Sequence, residues 1–190
     1  MSEEIAVGQT PAIAPEQLEG QVLAREGLLL RRLARSVSLP NVIVELGSYT
    51  GKSTCCLAVG SAEGQRARVY AIDLWTTGTY DENRRFYQYD PAGLICPITG
   101  LTTKIAEVFD QPVGLLFIDA DHTYEAVKAD FEAWAPKVVP GGVIALHDYA
   151  GKPEDHGVKR FVEELLAAAE AWYRLAHIVD SMCVLEKSAA

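Results

Sequence analysis

The sequence predicts an α/β fold: a doubly wound, mostly parallel, Rossmann-like sheet of seven strands, with helices on both faces and an antiparallel strand at the C-terminus. Short apolar runs alternate with segments of helical periodicity, as in proteins that wind strands and helices in turn. The run Val113–Asp119 is apolar up to its last residue, which is typical of a central parallel strand covered on both faces. The segment Trp172–Glu186 predicts two final strands joined around Asp180 and Ser181.

Composition favours one globular, cytoplasmic domain. The 190 residues are 49% hydrophobic and 23% charged, which is ordinary for such a domain. No apolar stretch has the roughly 18 residues that span a bilayer, and Met1–Gln9 is acidic, unlike a secretion signal. The net charge of −9 argues against nucleic acid as a partner and favours a neutral or cationic small molecule. The four cysteines form no CxxC pair, so we expect reduced, mostly buried thiols.

The N-terminal half is predicted to begin with an arm and a long helix. Residues 1–14 lack periodicity and are interpreted as a flexible arm, and residues 15–190 as one domain. Apolar residues recur at helical spacing between Pro15 and Pro40, so we expect a helix over 15–38 that packs on the sheet or within a homodimer. The next segments predict a strand, a helix and three strands: Asn41–Leu46, Ser53–Val59, Ala67–Asp73, Ile95–Ile98 and Val113–Asp119.

The C-terminal half predicts two more helices and three strands. A helix that carries Tyr124, Val127, Phe131 and Trp134 on one stripe is expected to end near Pro136. After it, two glycines are predicted to turn the chain into a strand, and an amphipathic helix precedes the last two strands. These elements are Gly141-Gly142, Val143–His147 and Val158–Ala169.

Four predicted strands end in a carboxylate, namely Glu45, Asp73, Asp119 and Asp148. In an open α/β sheet the carboxyl ends of the strands lie along one edge, where ligands bind. We therefore expect the four acids to converge on one site. Any one of them, taken alone, is equally well explained as a helix cap or a solvated side chain.

The segment Glu45–Ser53 predicts a sharp, ligand-binding turn between a strand and a helix. Gly47 and Gly51 would let a ligand approach the backbone where a Cβ would obstruct it. The end of the segment resembles a phosphate-binding loop, but Leu46 stands where that loop requires its first glycine. A dinucleotide-binding turn requires glycine where Tyr49 stands. The spacing therefore disfavours both ATP and NAD as the ligand.

Several ordered blocks within residues 40–165 resemble the class I S-adenosylmethionine-dependent methyltransferases. The Glu45–Ser53 turn is similar to the cofactor turn of catechol O-methyltransferase-like enzymes. The remaining blocks resemble the small bacterial methyltransferases grouped as family 24, and macrolide sugar O-methyltransferases. These blocks are Asp73–Trp75, Ile118–Glu125, Trp134–Pro136, Pro140–Tyr149 and Gly157–Val162.

The resemblance implies a binding site for S-adenosylmethionine. The backbone of the turn would face the methionine part, with Ser53 near its carboxylate at a helix N-terminus. Asp73 would accept hydrogen bonds from the ribose, Leu74 or Trp75 would cover the adenine, and Leu101–Thr103 would border its other side. The implied cofactor-binding residues are Glu45, Gly47, Ser48, Tyr49, Gly51, Ser53, Asp73, Leu74, Trp75, Leu101, Thr102 and Asp119.

The resemblance also implies methyl transfer to an oxygen, with His122, His147 and Asp148 as the catalytic residues. The histidines are the available bases for the acceptor proton. Alternatively, His122 caps the helix that begins near Thr123, and His147 is structural. Related O-methyltransferases hold a divalent ion at the positions of Asp119, His147 and Asp148. Because a histidine departs from their usual Asp-Asn or Asp-Asp pair, manganese or zinc becomes a candidate beside magnesium.

The expected function is therefore methyl transfer from S-adenosylmethionine to a small molecule, namely to a hydroxyl of a sugar or secondary metabolite. Two alternatives stay open, a P-loop-like nucleotide hydrolase and a non-catalytic cofactor-binding scaffold. The aromatic segment between Trp75 and Tyr89 is interpreted either as a lid or acceptor wall, or as a helix that packs its aromatic face.

Overall fold

The computed structural model describes residues 13–75, 86, 88–90, 92–151, 157–168 and 172–188. Its strands are β1 (Val42–Leu46), β2 (Val69–Asp73), β3 (Ile95–Thr99), β4 (Val113–Ile118), β5 (Val138–Leu146), β6 (Tyr173–Val179) and β7 (Met182–Lys187). The helices described in full are α1 (Ala24–Ser36), α2 (Lys52–Glu63), α3 (Thr102–Val108), α4 (Tyr124–Trp134) and α5 (Val158–Ala167). The strands form one sheet in the order β3-β2-β1-β4-β5-β7-β6. Strands β1 to β5 are parallel, and β7 runs antiparallel to β5 and β6, which confirms the predicted fold.

Strand β1 is the point at which the chain order of the sheet reverses. All five of its residues are buried, and Glu45 is paired with Ala71 of β2 on one side and with Phe117 of β4 on the other. Connections leave such a strand and its neighbour in opposite directions, so a crevice opens at their carboxyl ends. The fold therefore places the ends of β1, β2 and β4 at one edge of the sheet.

Helices cover both faces of the sheet with separate core layers. Val44 and Leu46 of β1 belong to the layer under α3, α4 and α5, together with Trp134. Ile43 belongs to the layer under α1 and α2, which also contains Ala145 of β5. Because side chains alternate along a strand, the position two residues after Ala145 is directed toward α1.

The predicted helix over 15–38 is wrong in its first third. A 3-10 helix over Pro15–Gln17 is followed by non-helical residues 18–23, and α1 begins at Ala24. The carboxylate of Glu26 accepts the backbone N–H of Leu23 at 2.7 Å, which satisfies a free donor at the helix start. A Cβ on Gly20 would lie 2.9 Å from the Cβ of Lys52, so the segment before α1 passes close to α2. Of the predicted arm, residues 1–12 lie outside the described residues.

The predicted turn at Gly141-Gly142 lies within β5, which begins at Val138, and Gly141 has a φ of +75°, as a turn favours. Strand β5 pairs with β4 at Val113 and Val138 and then at Leu115 and Val143, so residues 139–142 form a bulge. A Cβ on Gly142 would lie 2.7 Å from Cγ1 of Val138, which explains the glycine. The four cysteines are free thiols, as predicted. Within the described ranges, no helix combines the length and apolar character that crossing a membrane requires.

Candidate active site

A cavity of about 560 Å³ lies at the carboxyl ends of β1, β2, β3 and β4. Its walls are the turns after these strands, the start of α2, one face of α4 and the segment before α1. The lining residues are 20–22, 47–50, 52–53, 72–75, 100–103, 119–122, 126 and 129–130. They include every predicted cofactor-binding residue except Glu45 and Gly51. Of the predicted catalytic residues, His122 lines the cavity, whereas His147 and Asp148 do not.

Asp73 holds the turn between β1 and α2. One oxygen of its carboxylate accepts the backbone N–H groups of Ser48 and Tyr49 at 2.7 and 2.9 Å, and the other accepts that of Trp75 at 3.0 Å. A phosphate-binding loop offers such amides to the phosphate. Here the Asp73 carboxylate already occupies two of them, which is a physical reason, beyond spacing, against a P-loop.

The two glycines of the turn are required by neighbouring protein atoms. A Cβ on Gly47, whose φ is +85°, would lie 2.3 Å from the backbone oxygen of Asp119. A Cβ on Gly51, whose φ is +82°, would lie 2.5 Å from Cε1 of Phe86. Both glycines also adopt a backbone conformation that L residues rarely adopt. Close packing of the turn against β4 and Phe86 therefore requires both glycines, and Gly47 also lines the cavity.

Glu45 was predicted to bind the cofactor, but it lies beneath the turn and does not line the cavity. Its side chain is fully buried, and it accepts hydrogen bonds from the hydroxyls of Ser48 and Thr54. Burial raises the pKa of Glu45 to about 7, although hydrogen bonds from Ser53, Thr54 and Ser48 act in the opposite direction. Glu45 therefore joins the turn to α2 and does not face the cavity.

The wall formed by the turn after β3 has an apolar rim and a buried acid. Leu74 and Leu101 expose 50% and 57% of their surface. Thr102 donates its hydroxyl to Asp130 of α4, and its carbonyl accepts the indole N–H of Trp134 at 3.1 Å. Sequence reasoning missed Asp130, which is 3% exposed and lines the cavity. The sequence feature that could have revealed Asp130 is its spacing: this charged residue lies three positions after Val127 and four before Trp134, on the buried stripe of the helix.

The aromatic segment between Trp75 and Tyr89 is partly described. Trp75 lines the cavity, whereas Phe86 and Tyr89 are buried against Cys55 of α2. The hydroxyl of Tyr89 donates to the backbone oxygen of Ile13 at 2.8 Å. These contacts favour the packing interpretation for Phe86 and Tyr89; two further aromatic residues of the segment, Tyr80 and Tyr87, lie outside the described residues.

Asp119, His122 and Asp148 form a cluster beside the cavity. One ligand atom from each lies within 4.8 Å of the other two. Nδ1 of His122 is 2.9 Å from Oδ2 of Asp148, and the His122 side chain is 32% exposed. The hydrogen bond that His122 donates to Asp148 raises the pKa of His122 above its ordinary 6.5, and burial raises the pKa of Asp119. The cluster thus combines two carboxylates with an imidazole that reaches the cavity.

His147 was predicted to act as a base and as a metal ligand, but its ring lies below this cluster and does not line the cavity. The side chain is 2% exposed, and Nδ1 is 3.1 Å from carboxylate oxygens of both Asp119 and Asp148. Nε2 is 3.2 Å from the carboxylate of Glu26 and from the hydroxyl of Ser181. Burial alone would lower the pKa of His147, but hydrogen bonds to the three carboxylates raise it to about 11. With Glu26 at one nitrogen and Asp119 and Asp148 at the other, the buried ring supports the acids of the cluster and does not line the cavity.

Sequence reasoning also missed the part of the wall that comes before α1. Residues 20–22 and the nine-tenths-buried Lys52 close the cavity on the side of α2. No motif marks residues 20–22, since their place depends on the non-helical path of 18–23. Asp121 and the small residues Ala126 and Ala129 complete the wall.

Comparison with known families agrees with this geometry. A family model described as a methyltransferase domain matches residues 44–149, more than half of the chain. The chain belongs to this methyltransferase family. The matched region includes the Asp73 turn and the cluster of Asp119, His122 and Asp148. Family membership confirms the predicted resemblance and removes the P-loop hydrolase as an alternative.

The methyltransferase domain is also similar to individual proteins. The uncharacterized protein y4gI of Sinorhizobium fredii is 34% identical over 142 residues, which is 67% of this chain but 15% of that protein. The chain thus spans less than a sixth of the length of this relative. The O-methyltransferase TomG from Streptomyces achromogenes, solved with S-adenosylmethionine, has a TM-score of 0.68 at 20% identity over 88% of this chain and 82% of TomG. Cofactor-bound Rv0187 from MTB has a TM-score of 0.73 at 19% identity over 96% of this chain and 85% of that chain.

Proposed function

We propose that this methyltransferase transfers the methyl group of S-adenosylmethionine to a hydroxyl group of a small molecule, such as a sugar or a secondary metabolite. The observation that carries the proposal is that one cavity is lined both by the turn after β1 and by residues of the Asp119, His122 and Asp148 cluster. The turn held by Asp73 lies in one part of its wall, and Asp119 and His122 lie in another. A donor bound at the turn and an acceptor bound at His122 would share one cavity.

The cavity fits S-adenosylmethionine in size and in chemistry. About 560 Å³ is within the range of pockets that enclose ligands of this size. The exposed faces of Leu74 and Leu101 offer apolar surface for a purine, and Ser53 lies at the N-terminus of α2, where free amides favour a carboxylate. Acidic residues in the wall, Asp119 and Asp121 among them, favour a sulfonium cation.

His122 is the residue we assign as the base. S-adenosylmethionine supplies an electrophilic methyl group whose leaving group is a neutral thioether. Asp148 faces Nδ1 of His122, so Nδ1 donates to this carboxylate and Nε2 keeps the lone pair. His122 would take the acceptor proton at Nε2 as the acceptor oxygen bonds to the methyl carbon and the carbon–sulfur bond breaks.

The same cluster fits a divalent cation. Asp119, His122 and Asp148 would hold it, and their mixed oxygen and nitrogen donors suit manganese as well as magnesium. Such an ion would lower the pKa of a bound acceptor hydroxyl. His122 would then be a ligand instead of the base, so a chelator separates the two roles.

Calorimetry with S-adenosylhomocysteine is the direct test of the proposal. We expect binding at micromolar concentration and no measurable binding of ATP. The second step is transfer of a labelled methyl group to a panel of hydroxylated sugars and phenols, with His122→Ala as the inactive control. Absence of S-adenosylhomocysteine binding would overturn the proposal. Binding without transfer to any acceptor would instead favour the non-catalytic scaffold.

A further inference from the structure

Lys52 is a buried cation in the wall of the cavity. It is the first residue of α2, it is 8% exposed, and it lines the cavity beside Ser53. Among the described residues that line the cavity, it is the one lysine or arginine. No hydrogen bond and no ion pair joins Lys52 to another described residue. A lysine is rarely buried to this degree without a partner, and an anion in the cavity would supply one.

The described surroundings of Lys52 do not compensate its charge. The first turn of a helix carries a partial positive charge, which disfavours a cation there. Cys56 lies one turn further along α2, and burial raises the pKa of its thiol to about 12, so the thiol is neutral. The carboxylate of Glu16, whose charge also acts on Cys56, lies 3.5 Å from the guanidinium of Arg31. An anionic ligand would therefore relieve the cost of burying the Lys52 ammonium group.

The side chain of Lys52 runs along the segment before α1. A Cβ on Gly20 would lie 2.9 Å from Cβ and 3.0 Å from Cδ of Lys52, so the apolar stem of the lysine packs closely against Gly20. The same segment leads into α1, where Glu26 contacts His147 below Asp119. The segment therefore connects the wall beside Lys52 with the cluster where the acceptor hydroxyl would bind.

We propose that Lys52 binds a carboxylate or phosphate group of the acceptor, so that the enzyme methylates hydroxyl groups of acidic small molecules. This rests on the proposed function, in which the carboxylate of S-adenosylmethionine meets free amides near Ser53 and does not require Lys52. An acceptor with its hydroxyl at His122 and its anionic group at Lys52 would be held at two points. Such binding fixes the acceptor oxygen against the methyl group.

The net charge of −9 does not exclude an anionic acceptor. Charges separated by more than about 10 Å are largely screened at about 0.1 M salt, whereas a buried ammonium group acts on a bound anion at contact distance with little screening. The acids Asp119 and Asp121 follow β4, whereas Lys52 belongs to α2. Lys52 is therefore the place in the described wall where an anion is favoured.

Equilibrium dialysis of radiolabelled inorganic phosphate tests the anion site without knowledge of the acceptor. The protein is saturated with S-adenosylhomocysteine, so that the carboxylate of the cofactor product is already in place. We expect the wild type to bind phosphate, and Lys52→Met, which keeps an apolar stem, to bind it at least about tenfold more weakly, the scale of a lost hydrogen bond to a charged group. Lys52→Arg should still bind phosphate. The matched control Lys104→Met removes an exposed lysine of α3 outside the cavity and should bind phosphate like the wild type.

Turnover then compares acceptors that differ by one anionic group, namely glucuronic acid with glucose, and dihydroxybenzoic acid with its amide. For each pair that is methylated, kcat/KM of the wild type should favour the acid by about tenfold or more. Lys52→Met should lose this preference, and Lys104→Met should keep it.

Three results would overturn the role of Lys52. The first is a wild type that binds no phosphate, or equal binding by the wild type and Lys52→Met, which would make phosphate an adventitious ion only. The second is phosphate binding that S-adenosylhomocysteine abolishes, which would assign Lys52 to the carboxylate of the cofactor. The third is equal kcat/KM within the acceptor pairs.

None of these results affects the proposed function, which fails if the wild type binds no S-adenosylhomocysteine. Thermal unfolding checks that each variant is folded, and Lys52→Gln replaces Lys52→Met if the latter does not fold.

Discussion

Nε2 of His147 lies 3.2 Å from Oε2 of Glu26, although 121 residues separate them in the sequence. Glu26 belongs to α1 and His147 follows β5, so the contact joins the first helix to the edge of the sheet at the cavity. Ser181, in the turn between β6 and β7, donates its backbone N–H and its hydroxyl to the same carboxylate at 2.8 and 2.7 Å. Three distant segments thus meet below Asp119 and Asp148 and fix their positions.

Replacing Glu26 with glutamine should destabilise the fold, because it leaves a buried imidazolium with less compensating charge. We expect the free energy of unfolding in urea to fall by about 3 kcal/mol, the scale of breaking a buried ion pair. The matched control is Glu63→Gln, which breaks a partly exposed pair with Arg31 and should cost less than about 1 kcal/mol. Equal losses in the two variants would contradict the special role of Glu26.

The pH dependence of the Glu26→Gln effect follows from the two shifted pKa values. Burial favours a higher pKa of Glu26, but hydrogen bonds from His147, Leu23 and Ser181 outweigh it and hold this pKa at about 2. The contribution of Glu26 to the free energy of unfolding is therefore present above pH 4.5 and is lost toward pH 2. The pKa of His147 is raised to about 11, so the contribution of His147 to the free energy of unfolding is complete below pH 6.5 and is lost toward pH 11. The difference in free energy of unfolding between the wild type and Glu26→Gln should therefore be largest near pH 6 and should shrink at lower and at higher pH.

The sequence was sufficient to predict features that depend on local pattern. The apolar run of β4 and the stripe of Tyr124, Val127, Phe131 and Trp134 gave the correct elements, because strand and helix periodicities are local. The turn between β1 and α2 could be predicted for the same reason, whereas its hydrogen bonds to Asp73, 25 residues after Ser48, could not. The homodimer and the cytoplasmic location stay predictions.

Features that depend on tertiary contacts could not be predicted in this way. His147 looked like a ligand because the sequence does not show that Glu26 lies beneath it. Glu45 looked like a ligand-binding acid because its buried hydroxyl partners are known only from packing. Asp130 was missed for the opposite reason, since a charged residue on a buried helix stripe gains a meaning only when the cavity beside it is known.

Glu45 should make stability depend on pH in a way that Glu45→Gln removes. Burial raises its pKa from 4.5 to about 7, so the folded state binds this proton more tightly than the unfolded state. Stability is therefore greater below pH 4.5 and declines as the pH rises toward 7. The shift of about 2.5 pH units corresponds to about 3 kcal/mol. In urea unfolding at pH 5 and pH 8, the free energy of unfolding should decline more in the wild type than in Glu45→Gln; equal declines in the two proteins would refute the prediction.

Asp73→Ala should weaken binding of S-adenosylhomocysteine by roughly 1 to 3 kcal/mol, the scale of lost charge-assisted hydrogen bonds. Both a direct contact with the ribose and the support of the turn contribute to this expectation. Asp90→Ala is the matched control, because the Asp90 carboxylate accepts the N–H groups of Leu94 and Ile95 at 2.7 Å, before β3 and away from the cavity. We expect Asp90→Ala to lower the melting temperature and to leave the affinity unchanged. Equal affinities of Asp73→Ala and wild type would remove Asp73 from the site.

Manganese binding should depend on His122 and not on a histidine outside the cluster. Electron paramagnetic resonance of free Mn²⁺ measures the affinity directly, without knowledge of the acceptor. We expect His122→Ala to weaken binding about tenfold or more, because one of three protein ligands is lost. The control is His177→Ala, on the exposed face of β6, which should bind Mn²⁺ like the wild type.

The role of His122 follows from combining this measurement with turnover, once an acceptor is found. If a chelator abolishes turnover and His122→Ala loses Mn²⁺, then His122 acts as a ligand. If the wild type binds no Mn²⁺ and a chelator has no effect, then His122 acts as the base. In that case activity requires its neutral form, and because Asp148 raises the pKa of His122, the rate should rise with pH through a midpoint above 6.5. Asp148→Asn should move that midpoint to lower pH, since it removes the charge that favours the imidazolium.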